Sequence, residues 1–189
     1  MTNQKRPDKR RKKRNRLIFR TIILSVLLVA VVYALVSNLN KEDTNVDAGD
    51  PAPDFKLQQI NENDELETVQ LSDLEGKGVM LNFWATYCKP CEAEMPYMEK
   101  LYKEYENKGI EIVAVSLDFN KLVINRFIDK YDLTFPVAHD TTEEVMNLYK
   151  VGPIPSSFFI SPEGEIVEVV DGALTLDKLE GYLKQIQPE

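Results

Sequence analysis

The sequence predicts an α/β sandwich, in which helices cover a sheet of mixed parallel and antiparallel strands. Val79–Ala85 and Ile110–Leu117 are nearly continuous apolar runs of strand length, as expected for strands buried in the middle of a sheet. Pro90–Asn107 has apolar residues at helical spacing and joins these strands into a β-α-β unit. A predicted hairpin and an amphipathic helix close the chain, so antiparallel strands join the parallel ones.

The other predicted elements follow from local patterns of apolar and turn-forming residues. Short, partly alternating runs around an acidic turn predict a first hairpin, and Pro162-Glu163-Gly164 supplies the turn of a second. In chain order these elements are strands at Asp54–Leu57 and Thr68–Leu71, a helix at Leu122–Tyr131, a strand at Phe135–Ala138, a short helix at Thr142–Tyr149, strands at Ser156–Ile160 and Glu165–Val170, and a helix at Leu176–Ile186.

The charge of the 189-residue chain, −8 overall, is distributed unevenly. Residues 1–20 hold ten Lys or Arg and one acid, a net charge of +9, whereas residues 21–189 carry −17. A basic tail of this kind is either a nucleic-acid arm or a membrane-topology signal. The uncharged, apolar run at 21–36 favours the topology signal. Two cysteines and one histidine also exclude a disulfide-rich scaffold and a Cys/His tetrahedral zinc site.

Residues 17–36 are predicted to form an uncleaved transmembrane signal anchor. Twenty residues make a helix of about 30 Å, which matches the hydrocarbon core of a bilayer. Nine basic residues precede the segment and a tenth, Arg20, lies near its start, whereas only Lys41 lies in the seventeen residues after it. The positive-inside rule therefore keeps the N-terminus in the cytoplasm. The apolar run is longer than that of a cleaved signal and ends without a good pair of small residues.

These features divide the chain into four parts. Residues 1–16 are a basic cytoplasmic tail, 17–36 the anchor, 37–53 a polar, acidic linker and 54–189 a single domain large enough for its own core. The predicted location is the cell membrane, with a single pass and an extracytoplasmic catalytic domain.

Both cysteines lie where the first buried strand gives way to the long helix, in Trp84-Ala85-Thr86-Tyr87-Cys88-Lys89-Pro90-Cys91. Pro90 suits a first helical turn, so Cys88 is expected at the helix N-terminus, where free N–H groups and the helix dipole stabilise a thiolate. Thiol pKa values in such motifs fall from about 8.5 to about 3.5–7.5. Cys88 is therefore the predicted nucleophile, and Cys91 resolves the mixed disulfide.

Three plainer interpretations of the cysteine pair fit less well. A structural disulfide that closes so short a loop constrains the unfolded chain very little. A zinc ribbon needs a second pair of ligands, which the chain lacks. Inert buried cysteines do not explain the position at a strand-to-helix junction. A C-x-x-C pair beside a β-α-β pattern is instead typical of thioredoxin-like redox proteins.

The segment FWATYCKPCEAEMP resembles the active site of the thioredoxin superfamily, and more narrowly that of the membrane-anchored ResA/TlpA-like thiol–disulfide oxidoreductases. The similarity extends from about Asp50 to Pro188 and includes the stretch YKVGPIPSSFFISPEGEI. It implies a thioredoxin-like fold with an N-terminal β-hairpin extension and a central strand–helix insertion, preceded by one transmembrane helix. A cis-proline loop is expected to face the cysteines.

The resemblance also implies which residues form the site. Cys88 matches the exposed attacking cysteine and Cys91 the resolving one, and their disulfide is the expected redox group, with no metal and no other cofactor. Pro155 matches the cis-proline, and with Ile154 and Trp84 it is expected to form the substrate-binding part of the site. Trp84 is expected to pack in the core under the motif and to shape the site from there.

Four charged or titratable residues near the motif carry further expectations. Glu94 matches a glutamate implicated in proton handling, because a partly buried carboxyl of raised pKa can exchange a proton with a thiol; composition alone would make it a solvated helix charge. Lys89 adds a positive charge beside the thiols, which favours the thiolate and a more oxidising pair. Asp118 is expected at the edge of the site and His139 at the surface.

The expected activity is that of an extracytoplasmic thiol–disulfide oxidoreductase. The resemblance implies that it reduces disulfides of exported proteins such as apocytochrome c during cytochrome c maturation. It also implies a membrane electron donor of the CcdA or DsbD type; we expect a monomer that binds no nucleic acid. The alternatives are an oxidase or sporulation-type redox protein of the same fold, a copper chaperone and a peroxiredoxin-like peroxidase. The Pro-x-x-x-Thr-x-x-Cys signature of peroxidases is not met, because Leu81 and Ala85 occupy its first two positions.

Overall fold

The computed structural model describes residues 18–32, 46–60 and 67–189. The chain divides into two units, Met1–Thr44 and Asn45–Glu189. In the first unit, residues 18–32 form a helix, α1, whose side chains are exposed. Within the described ranges, no helix has both the length and the apolar character needed to cross a membrane. The predicted tail 1–16 lies outside the described residues, and the predicted anchor and linker lie partly outside them.

The second unit is built on one sheet of seven strands. These are β1 Lys56–Gln59, β2 Thr68–Gln70, β3 Gly78–Trp84, β4 Ile110–Ser116, β5 Val137–His139, β6 Ser156–Ile160 and β7 Ile166–Asp171. Their order across the sheet is β2-β1-β5-β4-β3-β6-β7. β4 pairs in parallel with β3 and β5, and the other neighbours are antiparallel. The predicted mixed sheet is therefore confirmed, including both hairpins.

The helices of the second unit also lie where the sequence predicts them. They are α2 Lys89–Tyr105, α3 Lys121–Tyr131, α4 Glu144–Leu148 and α5 Leu176–Ile186, with short 3-10 turns at Leu71–Leu74 and Glu106–Lys108. The strand β5 and the helix α4 form the predicted insertion between α3 and β6. The result is a thioredoxin-like fold.

The core lies on both faces of the sheet because the central strands are mostly apolar. All seven residues of β3 are buried. Side chains alternate between the faces, so Met80 and Trp84 pack with α2 and α5, whereas Leu81 and Phe83 pack toward α4. Full burial of each such side chain contributes about 1.5–3 kcal/mol to folding.

The parallel pairing of β3 and β4 positions the site. Their register runs from Gly78 opposite Ile110 to Trp84 opposite Ser116, so both strands end at the same edge of the sheet. The cysteine motif follows Trp84 at this edge, and Asp118 follows Ser116.

Candidate active site

The cysteine pair begins the long helix, as the sequence predicts. Cys88 is the N-cap residue of α2, and Pro90 lies in the first turn. The two sulfur atoms form a disulfide, with the Cα atoms 5.3 Å apart. Cys88 keeps 8% of its surface exposed and Cys91 none. Of the two cysteines, only Cys88 therefore keeps any surface accessible to a partner protein, which fits the expected division into attacking and resolving cysteines.

The helix N-terminus favours negative charge on the Cys88 sulfur. The backbone N–H of Cys91 points at Sγ of Cys88, with a nitrogen-to-sulfur distance of 3.3 Å. After reduction this N–H and the helix dipole would stabilise a thiolate at Cys88. The sequence placed Cys88 at the start of the helix, but the hydrogen bond to its own sulfur depends on the N-cap geometry.

The proline loop faces the exposed cysteine. The Ile154–Pro155 peptide bond is cis, and the carbonyl oxygen of Ile154 lies 3.7 Å from Sγ of Cys88. Pro155 is buried and Ile154 half-buried, while Gly152 and Pro153 before them are exposed. The structure therefore brings Ile154 and Pro155 to Cys88, and their expected substrate contact stays a prediction.

Trp84 lies beneath the motif, with its side chain fully buried. Its ring packs against Phe127 of α3, with ring centroids 4.7 Å apart. The sequence interpretation gave Trp84 a part in substrate binding. In this structure it has no exposed surface, so it supports the residues above it and offers no direct contact to a substrate.

Glu94 is buried, with 1% of its surface exposed. Its Oε1 accepts a hydrogen bond from the amide of Asn82 and its Oε2 accepts one from the backbone N–H of Leu174, each at 2.9 Å. Burial raises the pKa of Glu94 above its ordinary value of 4.5, and these two hydrogen bonds oppose the effect. The interpretation from composition alone, a solvated helix charge, is wrong for this residue. A buried carboxyl one turn after Cys91 suits proton exchange with a thiol.

Asp118 anchors the loop that leads into the motif. Its carboxylate accepts hydrogen bonds from the backbone N–H of Thr86 at 2.8 Å, from the hydroxyl of Thr86 at 2.7 Å and from the hydroxyl of Ser116 at 3.1 Å. The expected position of Asp118 at the edge of the site is confirmed. The expectation that His139 lies at the surface is wrong, because His139 is buried and its Nε2 lies 2.6 Å from the backbone oxygen of Asp118.

Two large aromatic side chains lie exposed beside Asp118 and Thr86. Tyr87, next to Thr86, is 71% exposed, and Phe119, next to Asp118, is 83% exposed. The sequence analysis did not include either in the site. Large exposed aromatic side chains next to an active site are typical of surfaces that bind proteins.

The sequence analysis also missed Asn82 and Ser157, which join Glu94 in one buried hydrogen-bonded group. Asn82 is the one polar residue in the apolar run VMLNFWA, and that interruption was an available signal. For metals, no three His, Cys, Asp or Glu side chains of the described residues lie close enough together to hold an ion.

Known proteins are similar to this chain in sequence and in fold. Residues 48–169 match the family model described as the AhpC/TSA family. The chain is 62% identical over 186 residues to the thiol-disulfide oxidoreductase ResA of Oceanobacillus iheyensis. The aligned residues cover 98% of this chain and 97% of the relative. The chain belongs to the ResA-like thiol-disulfide oxidoreductases of the thioredoxin superfamily. Its activity is therefore thiol–disulfide exchange.

Other relatives of this ResA-like chain carry related names. It is 44% identical over 177 residues to the ResA protein of Geobacillus kaustophilus, with coverage of 94% of this chain and 99% of the relative. A crystal structure from Chlorobium tepidum, described as a thiol:disulfide interchange protein DsbE, is 34% identical, with a TM-score of 0.67. The superposed region covers 74% of this chain and 97% of the Chlorobium tepidum chain.

Proposed function

We propose that this chain is a membrane-anchored, extracytoplasmic reductase of disulfides in exported proteins, apocytochrome c among them. The observation that carries the proposal is the asymmetry of the cysteine pair. Cys88 keeps some exposed surface and its sulfur accepts an N–H from the helix start, while Cys91 is fully buried. Such a pair presents one nucleophile to a protein substrate and withholds the other until a mixed disulfide has formed.

The reaction transfers two electrons from the dithiol to the substrate. The Cys88 thiolate attacks one sulfur of the substrate disulfide, the substrate S–S bond breaks, and the released sulfur takes a proton. Cys91 then loses its proton to Glu94 and attacks Sγ of Cys88. The mixed disulfide breaks, and the second substrate sulfur leaves as a thiolate that takes a proton from water. The Cys88–Cys91 disulfide remains, with the proton of Cys91 on Glu94.

The spent disulfide needs a reductant in an oxidising compartment. We propose a membrane electron donor of the CcdA or DsbD type, which would reduce the Cys88–Cys91 pair by the same exchange steps in reverse. The basic tail and the apolar segment 17–36 support the anchored topology, because their charge asymmetry keeps the N-terminus in the cytoplasm.

Substrate trapping in cells tests this function. In a Cys91→Ala variant the mixed disulfide on Cys88 has no resolving thiol, so exported proteins that carry cysteine pairs accumulate covalently on the chain. The matched control is Cys88→Ala, which forms no such adducts. Recovery of apocytochrome c and other exported proteins from Cys91→Ala supports the proposal. Adducts with cytoplasmic proteins alone would contradict it.

A further inference from the structure

Asn82 connects Glu94 to the strand that follows the cis-proline. Its side chain is fully buried in β3, and its Nδ2 group donates hydrogen bonds to Oε1 of Glu94 at 2.9 Å and to Oγ of Ser157 at 3.0 Å. Asn82 and Ser157 lie directly opposite each other in the antiparallel register of β3 and β6. Ser157 is two residues after Pro155. The three side chains therefore form one continuous path from α2 to the proline loop.

The carboxyl group of Glu94 acts as the acceptor in its hydrogen bonds with Asn82 and Leu174. Asn82 of β3 donates to one oxygen, and the N–H of Leu174, in the loop before α5, donates to the other. Neither group is charged, and no charged side chain of the described residues is among the causes of the shifted pKa. On α2 itself, Cys91 lies one turn earlier and titrates only when the disulfide is reduced. These two hydrogen-bond donors suit a carboxylate, whereas a protonated carboxyl also needs an acceptor for its O–H.

The missing acceptor is present on Asn82 itself. Buried polar atoms almost always have a hydrogen-bond partner. Among the described residues, the two buried side-chain atoms without one are Oδ1 of Asn82 and Nε1 of Trp84. Both side chains lie on the face of β3 that packs against α2. The Nδ2 group of Asn82 thus donates to both Glu94 and Ser157, while its Oδ1 atom accepts no hydrogen bond.

We propose that Asn82 is a positioning residue whose amide donates to ionised Glu94 and, after a rotation of 180°, accepts the hydrogen bond of protonated Glu94. The inference rests on the proposed exchange of a proton between Cys91 and Glu94. No proton moves onto Asn82: the proton leaves the Cys91 thiol and stays on Glu94. The hydroxyl of Ser157 serves both orientations, because a hydroxyl accepts from the Nδ2 group and donates to Oδ1.

Infrared spectroscopy of the full-length chain in detergent tests the rotation. With the disulfide intact the thiols do not titrate, and the band of the protonated Glu94 carboxyl is identified by its absence in Glu94→Gln. We expect Asn82→Leu, which keeps the size of the side chain, to shift this band to higher wavenumber, as for a carboxyl whose O–H has lost its acceptor. An unshifted band in a folded Asn82→Leu variant would overturn the proposal.

A pair of neighbouring serines keeps the test decisive if Asn82→Leu does not fold. Ser156 and Ser157 are both buried in β6, but Ser156 bonds to Asp171 and Ser157 to Asn82. We expect Ser157→Ala to shift the Glu94 carboxyl band and Ser156→Ala to leave it in place. Equal effects of the two variants would contradict the proposed path.

Nuclear magnetic resonance of the wild-type chain gives a direct view of the amide. We expect contacts between the Asn82 side-chain NH₂ and the Ser157 methylene group when Glu94 is ionised, and their loss when Glu94 is protonated. Contacts that persist both when Glu94 is ionised and when it is protonated would overturn the proposed rotation.

The pH profile of thiol reactivity separates this inference from the proposed function. If Glu94→Gln leaves the profile of the reduced chain unchanged, the role of Glu94 in proton exchange fails. If Glu94→Gln changes the profile while Asn82→Leu has neither the shifted band nor an altered profile, only the inference about Asn82 fails.

Discussion

The ammonium group of Lys89 lies 2.9 Å from Oε2 of Glu92, so the positive charge inside the C-x-x-C motif is paired with an acid on the next helical turn. The other carboxylate oxygen of Glu92 lies 2.8 Å from Nζ of Lys130 and accepts a hydrogen bond from the hydroxyl of Tyr131 at 2.5 Å. These partners, led by Lys130, lower the pKa of Glu92 to about 2. The sequence analysis treated Lys89 as a positive charge beside the thiols and did not include this pairing.

Removal of the Glu92 charge should make the pair more oxidising. In Glu92→Gln the positive charges of Lys89 and Lys130 are no longer balanced, which stabilises a Cys88 thiolate and hence the reduced form. Because the ion pair is exposed to solvent, we expect at most about a tenfold change in the equilibrium with glutathione, or about 30 mV for this two-electron couple. The control is Glu104→Gln, an equal charge change on an exposed site of α2 farther from the cysteines. Equal shifts in both variants would contradict the account.

Glu94 should make the stability of the oxidised protein depend on pH. Since its pKa is raised in the folded chain, the folded state binds more protons than the unfolded state between the ordinary value of 4.5 and the raised value. The free energy of unfolding then falls as pH rises through this window, by about 1.4 kcal/mol for each unit of pKa shift. Urea unfolding at several pH values measures the slope.

A variant without the carboxyl isolates this contribution. We expect Glu94→Gln to lose that part of the slope, so that its free energy of unfolding no longer falls as pH rises through the window. Glu104→Gln, which changes an exposed carboxyl, should keep the wild-type slope through this window. A wild-type slope in Glu94→Gln would show that Glu94 is not the group responsible.

The sequence predicts the frame of this molecule well because periodicity and turn residues act locally. The apolar runs that become β3 and β4 and the helical spacing of α2 are visible over a few residues. The N-cap position of Cys88 follows in the same way from Pro90.

The contacts that complete the site join residues far apart in the chain. Asn82 reaches Ser157 through the register of β3 and β6, and His139 is buried against Asp118 because β5 lies beside β4. Strand order and register depend on the packing of the whole sheet, and local patterns do not specify them. A polar residue in an apolar strand marks such a position but does not identify its partner.

The Asp118 anchor should control the loop before the cysteines. In Asp118→Asn a neutral amide with one acceptor oxygen replaces the carboxylate. The hydrogen bonds from Thr86 and Ser116 therefore lose the assistance of the negative charge, and one of them must reverse its direction or break. Because Asp118 is buried, we expect a loss of about 1–3 kcal/mol in stability and slower reduction of a protein disulfide. Denaturant unfolding and exchange kinetics measure the two effects. The exposed Asp129→Asn serves as control, and an unchanged Asp118→Asn variant would remove the anchor from the account.

The proposed topology has a simple cellular test. Protease added to intact protoplasts should digest the domain of residues 54–189 and leave the basic N-terminal segment protected. The mature protein should also keep its full length, because the anchor is predicted to stay uncleaved. A domain that is digested only after the membrane is broken would contradict the extracytoplasmic location.

The reduction potential of the Cys88–Cys91 pair tests the proposed reductase most directly. The measurement equilibrates the full-length chain with a glutathione or dithiothreitol redox series and quantifies the reduced fraction. A reductase of exported disulfides requires a value well below about −200 mV, and this is the predicted result. A value near about −120 mV, as for a strong disulfide donor, would show that the pair runs the exchange in the opposite direction.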